Sequence, residues 1–248
     1  MVSKRGNLVT TPLFRLLLTM RSMNNDTSQV RYWNDAAASK TFTHPLDVAL
    51  LQKYIARDAR VLDYGCGYGR LCGELHRAGF NNLMGVDFSD AMIARAREAL
   101  PHLSFDVVTD AGLALPDRSF DAVLLLAVLT CVPDSAGQLA IVADLHRVLK
   151  PGGIVYLSDY PLQTDARNLA RYEQHAASVE AYGTFTTDDG AVVRHHPIEW
   201  FDELFKDFTR ESATDVEVVT MNGNRSMGYQ AIFRKPDQTS RVSAINRV

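Results

Sequence analysis

The segment Val61-Leu62-Asp63-Tyr64-Gly65-Cys66-Gly67-Tyr68-Gly69-Arg70 constrains the fold more than any other part of the chain. An apolar run stops at three glycines on alternate positions, and a helix-forming stretch follows as far as Gly79. Glycine lacks the Cβ that disfavours positive φ and close backbone approach. The run therefore reads as a strand turning tightly into a helix, whose N-terminal N–H groups can face a ligand. The spacing is Asp-x-Gly-x-Gly-x-Gly, which differs from the G-x-G-x-x-G of dinucleotide binders. Arg70 stands where that pattern has its third glycine.

Around this turn the hydrophobic pattern alternates strand and helix. A helix is expected from near His44, with Pro45 in its first turn. Strands are expected at Arg60–Tyr64, Leu83–Asp87, Leu103–Val108, Phe120–Leu126 and Ile154–Asp159. Between them, Ser89 reads as the N-cap of a helix carrying Met92 and Ile93. A helix from about Asp134 to Leu149 has Leu139, Val142, Leu145 and Leu149 as its apolar stripe, and Lys150-Pro151-Gly152-Gly153 ends it. Strand–helix alternation of this kind builds a parallel sheet with right-handed crossovers. The rhythm breaks over residues 160–196. A polar helical piece, Ala166 to Tyr182, leads to a hairpin turning at Asp188-Asp189-Gly190, a strong hairpin signal. A helix from Pro197 and strands at Val216–Met221 and Met227–Arg234 close the pattern.

At 248 residues with 46% hydrophobic and 22% charged side chains, the chain fits one large globular domain. The net charge of −3 provides no global field toward nucleic acid or anionic membrane. No run approaches the roughly 18 apolar residues of a membrane span. Lys4 and Arg5 precede Leu8–Leu18, but Pro12 and Arg15 interrupt that run and no small-residue cleavage site follows. Residues 1–30 read as a flexible extension, 31–235 as the domain and 236–248 as a disordered tail. Cys66, Cys72 and Cys131 form no C-x-x-C pair, so neither a disulfide framework nor a structural zinc is expected. A cytoplasmic protein, monomeric or homodimeric, is the expectation.

The chemistry-bearing residues gather at strand ends. Asp87, at the tip of the second strand, is placed to accept hydrogen bonds from both hydroxyls of a ribose. Asp110 and Ala111 follow the third strand, positioned to meet an adenine edge, and Leu126 ends the fourth. These points surround the switch point at which open α/β sheets bind ligands.

Four segments together resemble the class I S-adenosylmethionine-dependent methyltransferases. They are Asp63 to Gly69, Gly85-Val86-Asp87-Phe88-Ser89, Ser119-Phe120-Asp121-Ala122-Val123 and His146-Arg147-Val148-Leu149-Lys150-Pro151-Gly152-Gly153. The resemblance implies a Rossmann-like seven-stranded sheet with a reversed final strand, helices on both faces and a lid insertion over residues 160–196. It implies S-adenosylmethionine as cofactor. The backbone of Gly65, Cys66, Gly67 and Gly69 would lie by its methionine part, and Asp87 on the ribose. Asp110 and Ala111 would lie by adenine, Phe88 and Met92 near the adenosine, with Asp63 organising the glycine turn.

Relatives of this class that act on small molecules cover the pocket with an N-terminal segment and an insertion after the fifth strand. On that ground Tyr32, Trp33, His44, Thr130, Cys131 and Tyr172 are candidate acceptor contacts. Tyr160, His195 and His196 are candidate catalytic groups, imidazole being the side chain that titrates near neutral pH. Adjacent strand residues point to opposite faces, so one of His195 and His196 faces inward, and the pair does not make a metal site. The expected activity is methyl transfer to an N, O or C atom of a small molecule. The alternatives are a tRNA-modifying methyltransferase and a non-catalytic S-adenosylmethionine-binding protein. The charge of −3 counts against tRNA.

Overall fold

A computed structural model describes residues 29–109 and 112–237. The expected extension through residue 28, the tail from residue 238, and Asp110 and Ala111 lie outside the described residues. The strands are β1 (Val61–Tyr64), β2 (Leu83–Asp87), β3 (Ser104–Val107), β4 (Phe120–Leu126), β5 (Leu149–Asp159), β6 (Thr184–Thr186), β7 (Val192–Arg194), β8 (Thr209–Val219) and β9 (Arg225–Arg234). Seven of them form one sheet in the order β3-β2-β1-β4-β5-β9-β8, and β6 and β7 pair as a separate hairpin. The first five positions of the large sheet are parallel, whereas β9 runs antiparallel to both β5 and β8.

Helices cover both faces. They are α1 (residues 29–36), α2 (Val48–Leu51), α3 (Arg70–Arg77), α4 (Asp90–Ala99), α5 (Ser135–Val148), α6 (Ala166–His175) and α7 (Ile198–Leu204). The two-residue period of β4 explains its unbroken apolar sequence. Val123 and Leu125 pack with Val142, Leu145 and Phe201 of α5 and α7 on one face. Ala122, Leu124 and Leu126 pack with Leu71 and Leu75 of α3 on the other.

Several elements depart from the sequence reading. The helix expected from near His44 is the single turn α2, which starts after Asp47, whose carboxylate accepts from the Leu50 N–H at 2.8 Å. His44 is left in extended chain, its ring against Ser158. The helical piece α6 ends at His175 rather than near Tyr182. Edge strand β8 begins at Thr209, seven residues earlier than its apolar pattern suggests, because its first half is exposed and carries no alternation. Gln29, within the expected extension, belongs to α1, is buried and donates to the Val192 carbonyl at 2.6 Å.

On α5 the buried stripe contains Gln138 where an apolar pattern selects Leu139, which is exposed. Gln138 Nε2 lies 3.0 Å from the Leu129 carbonyl and 2.6 Å from that of Val132, and Oε1 accepts from Trp200 Nε1 at 2.6 Å. His196 Nε2 lies 2.8 Å from the same amide. One side chain thus fastens the 3₁₀ turn Leu129–Cys131 to α7 and to the end of the insertion. Replacing Gln138 by Ala orphans these buried partners together, and urea unfolding should show a loss of about 2–4 kcal/mol.

Candidate active site

The carboxyl ends of β1, β2, β4 and β5 open into one cavity of about 570 Å³. At its floor Gly65 and Cys66 both donate to the Val86 carbonyl, at 2.8 and 3.0 Å, which holds the glycine turn against β2. Gly65, Gly67 and Gly69 all have positive φ. At Gly65 (φ +75°) a Cβ would stand 2.5 Å from Val128 Cγ2, so the turn admits no larger residue there.

Asp87 lines the cavity and is almost fully buried. Its Oδ2 accepts from Gly67 N–H at 2.8 Å and its Oδ1 from Ser89 N–H at 2.9 Å. Burial pushes its pKa up, and the amides of Ser89 and Gly67 pull against that shift. Each oxygen keeps a lone pair for a diol. Phe88, Met92 and Leu126 form apolar wall beside it. Ala127, at the end of β4, holds φ +53°, an uncommon angle for a residue with a Cβ, and it too faces the cavity. A cradle without side chains, a buried carboxylate and an apolar slot suit a nucleoside carrying a charged tail.

Asp63 does not reach the cavity. It is buried beneath the turn, where Cys72 Sγ donates to it at 3.5 Å, and burial raises its pKa to about 7. The backbone of Gly67 serves Asp87, and neither Gly67 nor Gly69 lines the cavity.

The opposite wall holds Tyr32, Trp33, His44, Thr130, Cys131 and Tyr160. Trp33 and Phe42 pack edge to face at 5.9 Å, and Phe42 stacks on Tyr68 of the glycine turn at 5.0 Å. Arg70 ties this segment down by donating to the His44 carbonyl. His44 Nε2 sits 2.7 Å from Ser158 Oγ, and burial lowers its pKa to about 4. Burial also pushes the Cys131 thiol and the Tyr160 phenol well up, so neither is ionised at neutral pH.

The two neighbouring histidines separate as strand alternation requires. The chain at Tyr160–Leu162 runs beside His196, linked through Tyr160 O, His196 N–H, His196 O and Leu162 N–H. His195 lines the cavity, with its ring stacked on Tyr160 at 5.5 Å. His196 is fully buried in the other direction, against Gln138 and Phe201, so of the two candidates it is His195, and not His196, that faces the cavity. The expected pocket position of Tyr172 is corrected. Tyr172 does not line the cavity; its hydroxyl accepts from Gln163 N–H at 3.1 Å and lies 2.6 Å from His195 Nδ1, to which it can give its proton. Burial lowers the pKa of both histidines to about 3. With the phenol proton on Nδ1 and protonation disfavoured by burial, the arrangement gives His195 the character of a neutral N–H donor through Nε2.

The cavity also takes in residues that sequence reasoning did not single out. Arg167, Asn168 and Phe185 come from the insertion, and Thr220, Asn222 and Asn224 come from the β8–β9 turn. The i, i+4 spacing of Arg167 and Arg171 was a usable signal. For the β8–β9 turn there was none, because only the sheet order carries it to the site.

Residues 62–157 match the family model described as a methyltransferase domain. A solved SAM-dependent methyltransferase from Methanosarcina mazei superposes with a TM-score of 0.73 at 25% identity, covering 78% of this chain and 100% of that one. A sterol 24-C-methyltransferase from Aspergillus fumigatus is 36% identical over 121 residues, 46% of this chain and 31% of the relative. An EEF1A lysine methyltransferase from Mus musculus is 34% identical over 148 residues, 50% of this chain and 58% of the relative. The matched stretch thus spans less than two thirds of either curated relative. Residues 62–157 are thus a methyltransferase domain of the class I S-adenosylmethionine-dependent kind, and S-adenosylmethionine is the cofactor for which that class is built. Among the described residues, no helix is long and apolar enough to cross a membrane.

Asp87→Ala removes both acceptors from the diol site, and calorimetry should show binding of S-adenosylhomocysteine weakened by about 1.5–3 kcal/mol, the scale of charge-assisted hydrogen bonds. His196 gives a second expectation. Its folded pKa, near 3, lies below its unfolded value of about 6.5, so its stabilising contribution is present above pH 6.5 and lost as pH falls toward 3. Between pH 6 and 4 the stability advantage of the parent over His196→Gln should shrink by about 1.4 kcal/mol per pH unit in urea titrations.

Proposed function

We propose that the protein is an active methyltransferase whose acceptor is a small molecule enclosed between the sheet and a lid. The observation that carries this reading is the clasp across the cavity mouth. Asp189, at the tip of the β6–β7 hairpin, accepts from Tyr32 OH at 3.1 Å and from Lys40 Nζ. Its carboxyl is held at a pKa of about 2, because the hydrogen bonds from Lys40, Thr187 and Tyr32 together outweigh the opposing effect of burial. With the Gln29–Val192 hydrogen bond, it joins the segment before β1 to the insertion after β5. An aromatic-lined space bridged in this way suits a molecule that enters whole, whereas a protein or tRNA acceptor needs a broad open approach.

S-adenosylmethionine supplies an already activated methyl group, so the protein's part is to align the acceptor and exclude water. Asp87 and the Gly65–Cys66 backbone would hold the cofactor. Trp33, His44, Tyr160 and His195 would orient the acceptor as neutral groups. None of these four is poised to remove a proton at neutral pH, which favours an acceptor that is already nucleophilic.

The test has two parts. Hydrogen exchange should slow over residues 29–44 and 184–195 when S-adenosylhomocysteine is added, and unchanged exchange in both segments would remove the lid. Incubation of small-molecule mixtures with methyl-labelled S-adenosylmethionine should then yield labelled products by mass spectrometry. Bound cofactor without transfer to any of them would favour a non-catalytic role.

A further inference from the structure

Helix α6 presents Arg167, Asn168 and Arg171 to the cavity, one turn apart. Two arginines at i, i+4 repel one another, so the helix gains nothing from the pairing itself. Their carboxylate neighbours do not neutralise them closely. Arg167 Nε lies 3.9 Å from Asp165 and Arg171 Nη2 lies 3.9 Å from Asp188, beyond hydrogen-bond distance in both cases. The Asp188 side chain is 96% exposed, and the neighbouring Asp189 is taken up by Lys40, Tyr32 and Thr187. Both guanidinium groups are themselves only partly exposed, and Arg171 lies over the Phe185 ring at 5.3 Å, which orients its plane. The same end of the cavity holds His195, fixed by Tyr172 as an N–H donor. Both arginine charges are close enough to add to the bias that burial sets against its protonation, with Asp165, already hydrogen-bonded to Asn168, acting in the opposite direction.

This cavity end therefore gathers two fixed cations and a neutral donor. Asp188, out in solvent, is the one carboxylate lining it that no closer partner engages. We propose that Arg167, Arg171 and His195 form an anion subsite and that the methyl acceptor is a carboxylic acid anchored there. Guanidinium forks match a carboxylate in charge and in planar geometry, and the surrounding aromatic wall takes the rest of the molecule. The inference rests on the methyl-transfer reading for its setting and on the arginines for its content.

Two measurements separate these. The protein saturated with S-adenosylhomocysteine is screened by thermal shift against a set of aromatic and aliphatic carboxylic acids, each paired with its primary amide. The same pairs, with a second mixture of neutral alcohols and amines, are incubated with methyl-labelled S-adenosylmethionine. The proposal expects stabilisation by acids over their amides, and label only in members that carry a free carboxylate. In Arg167→Gln or Arg171→Gln the KM for the best acid should rise ~10- to 150-fold, the range of a lost hydrogen bond to a charged group, with kcat and S-adenosylhomocysteine affinity near those of the parent. Amides, alcohols or amines methylated as well as the acids would overturn it, as would variants with unchanged KM. Acid-selective stabilisation without transfer to any compound would leave the anion subsite standing and strike the methyl-transfer reading instead.

Discussion

The carboxylate of Asp87 is the interaction on which the rest of the site depends. One oxygen holds the amide of Gly67 in the turn after β1, and the other holds the amide of Ser89 at the start of α4. Ser89 Oγ in turn caps α4 through Met92 N–H and reaches Asn34 of α1 at 2.5 Å. The turn, the second strand, the following helix and the covering helix are thereby set by one buried charge. Desolvation of that charge is the cost, and the two amides offset it. A cofactor diol at the remaining lone pairs would further compensate the buried carboxylate.

The wall facing Asp87 follows the opposite rule. Burial lowers the pKa of His44 to about 4 and of His195 to about 3, and it keeps Tyr160 and Cys131 protonated. A wall of neutral donors and aromatic edges holds a molecule without exchanging protons with it. Deprotonation then has to be unnecessary, or to precede binding. The Tyr172 hydroxyl makes this specific, because it occupies the one ring nitrogen of His195 that would otherwise remain a free acceptor.

How much was legible in the sequence divides along the same line. The cofactor half was readable because local geometry decides it: glycines at strand–helix turns, an acid at a strand tip and an N-cap serine act within a few residues of themselves. The parallel sheet followed from alternation and handedness, and the seven strands with a reversed last one from the family resemblance. Which of His195 and His196 faces the cavity, and that Tyr172 stands behind it, was not readable, since long-range packing decides which side chain meets the cavity and which meets Gln138. Gln138 itself is a polar residue on a buried stripe, and no periodicity argument selects it. Edge strand β8 was cut short for a related reason: with solvent along its first half, it has no apolar face to signal its start.

The family match ends at residue 157, two residues before β5 ends and just short of the insertion. That boundary has a physical meaning. Everything before it that touches the cofactor is held by the parallel strands and their turns, so the geometry there is reproduced wherever the turn sequence is. The covering elements are held to one another by the Asp189 clasp and the Gln29–Val192 hydrogen bond, and to the sheet by His44–Ser158 and Arg70–His44. Helix α1 is tied to the cradle through Asn34 and Ser89, whereas α6 and the β6–β7 hairpin hang on these contacts between covering elements and can change residues without disturbing the glycine turn or the tip of β2. A domain built this way keeps one reaction and varies its acceptor. On the reading proposed above, acceptor identity is written in residues such as Arg167, Arg171 and His195, outside the matched stretch, residues 62–157.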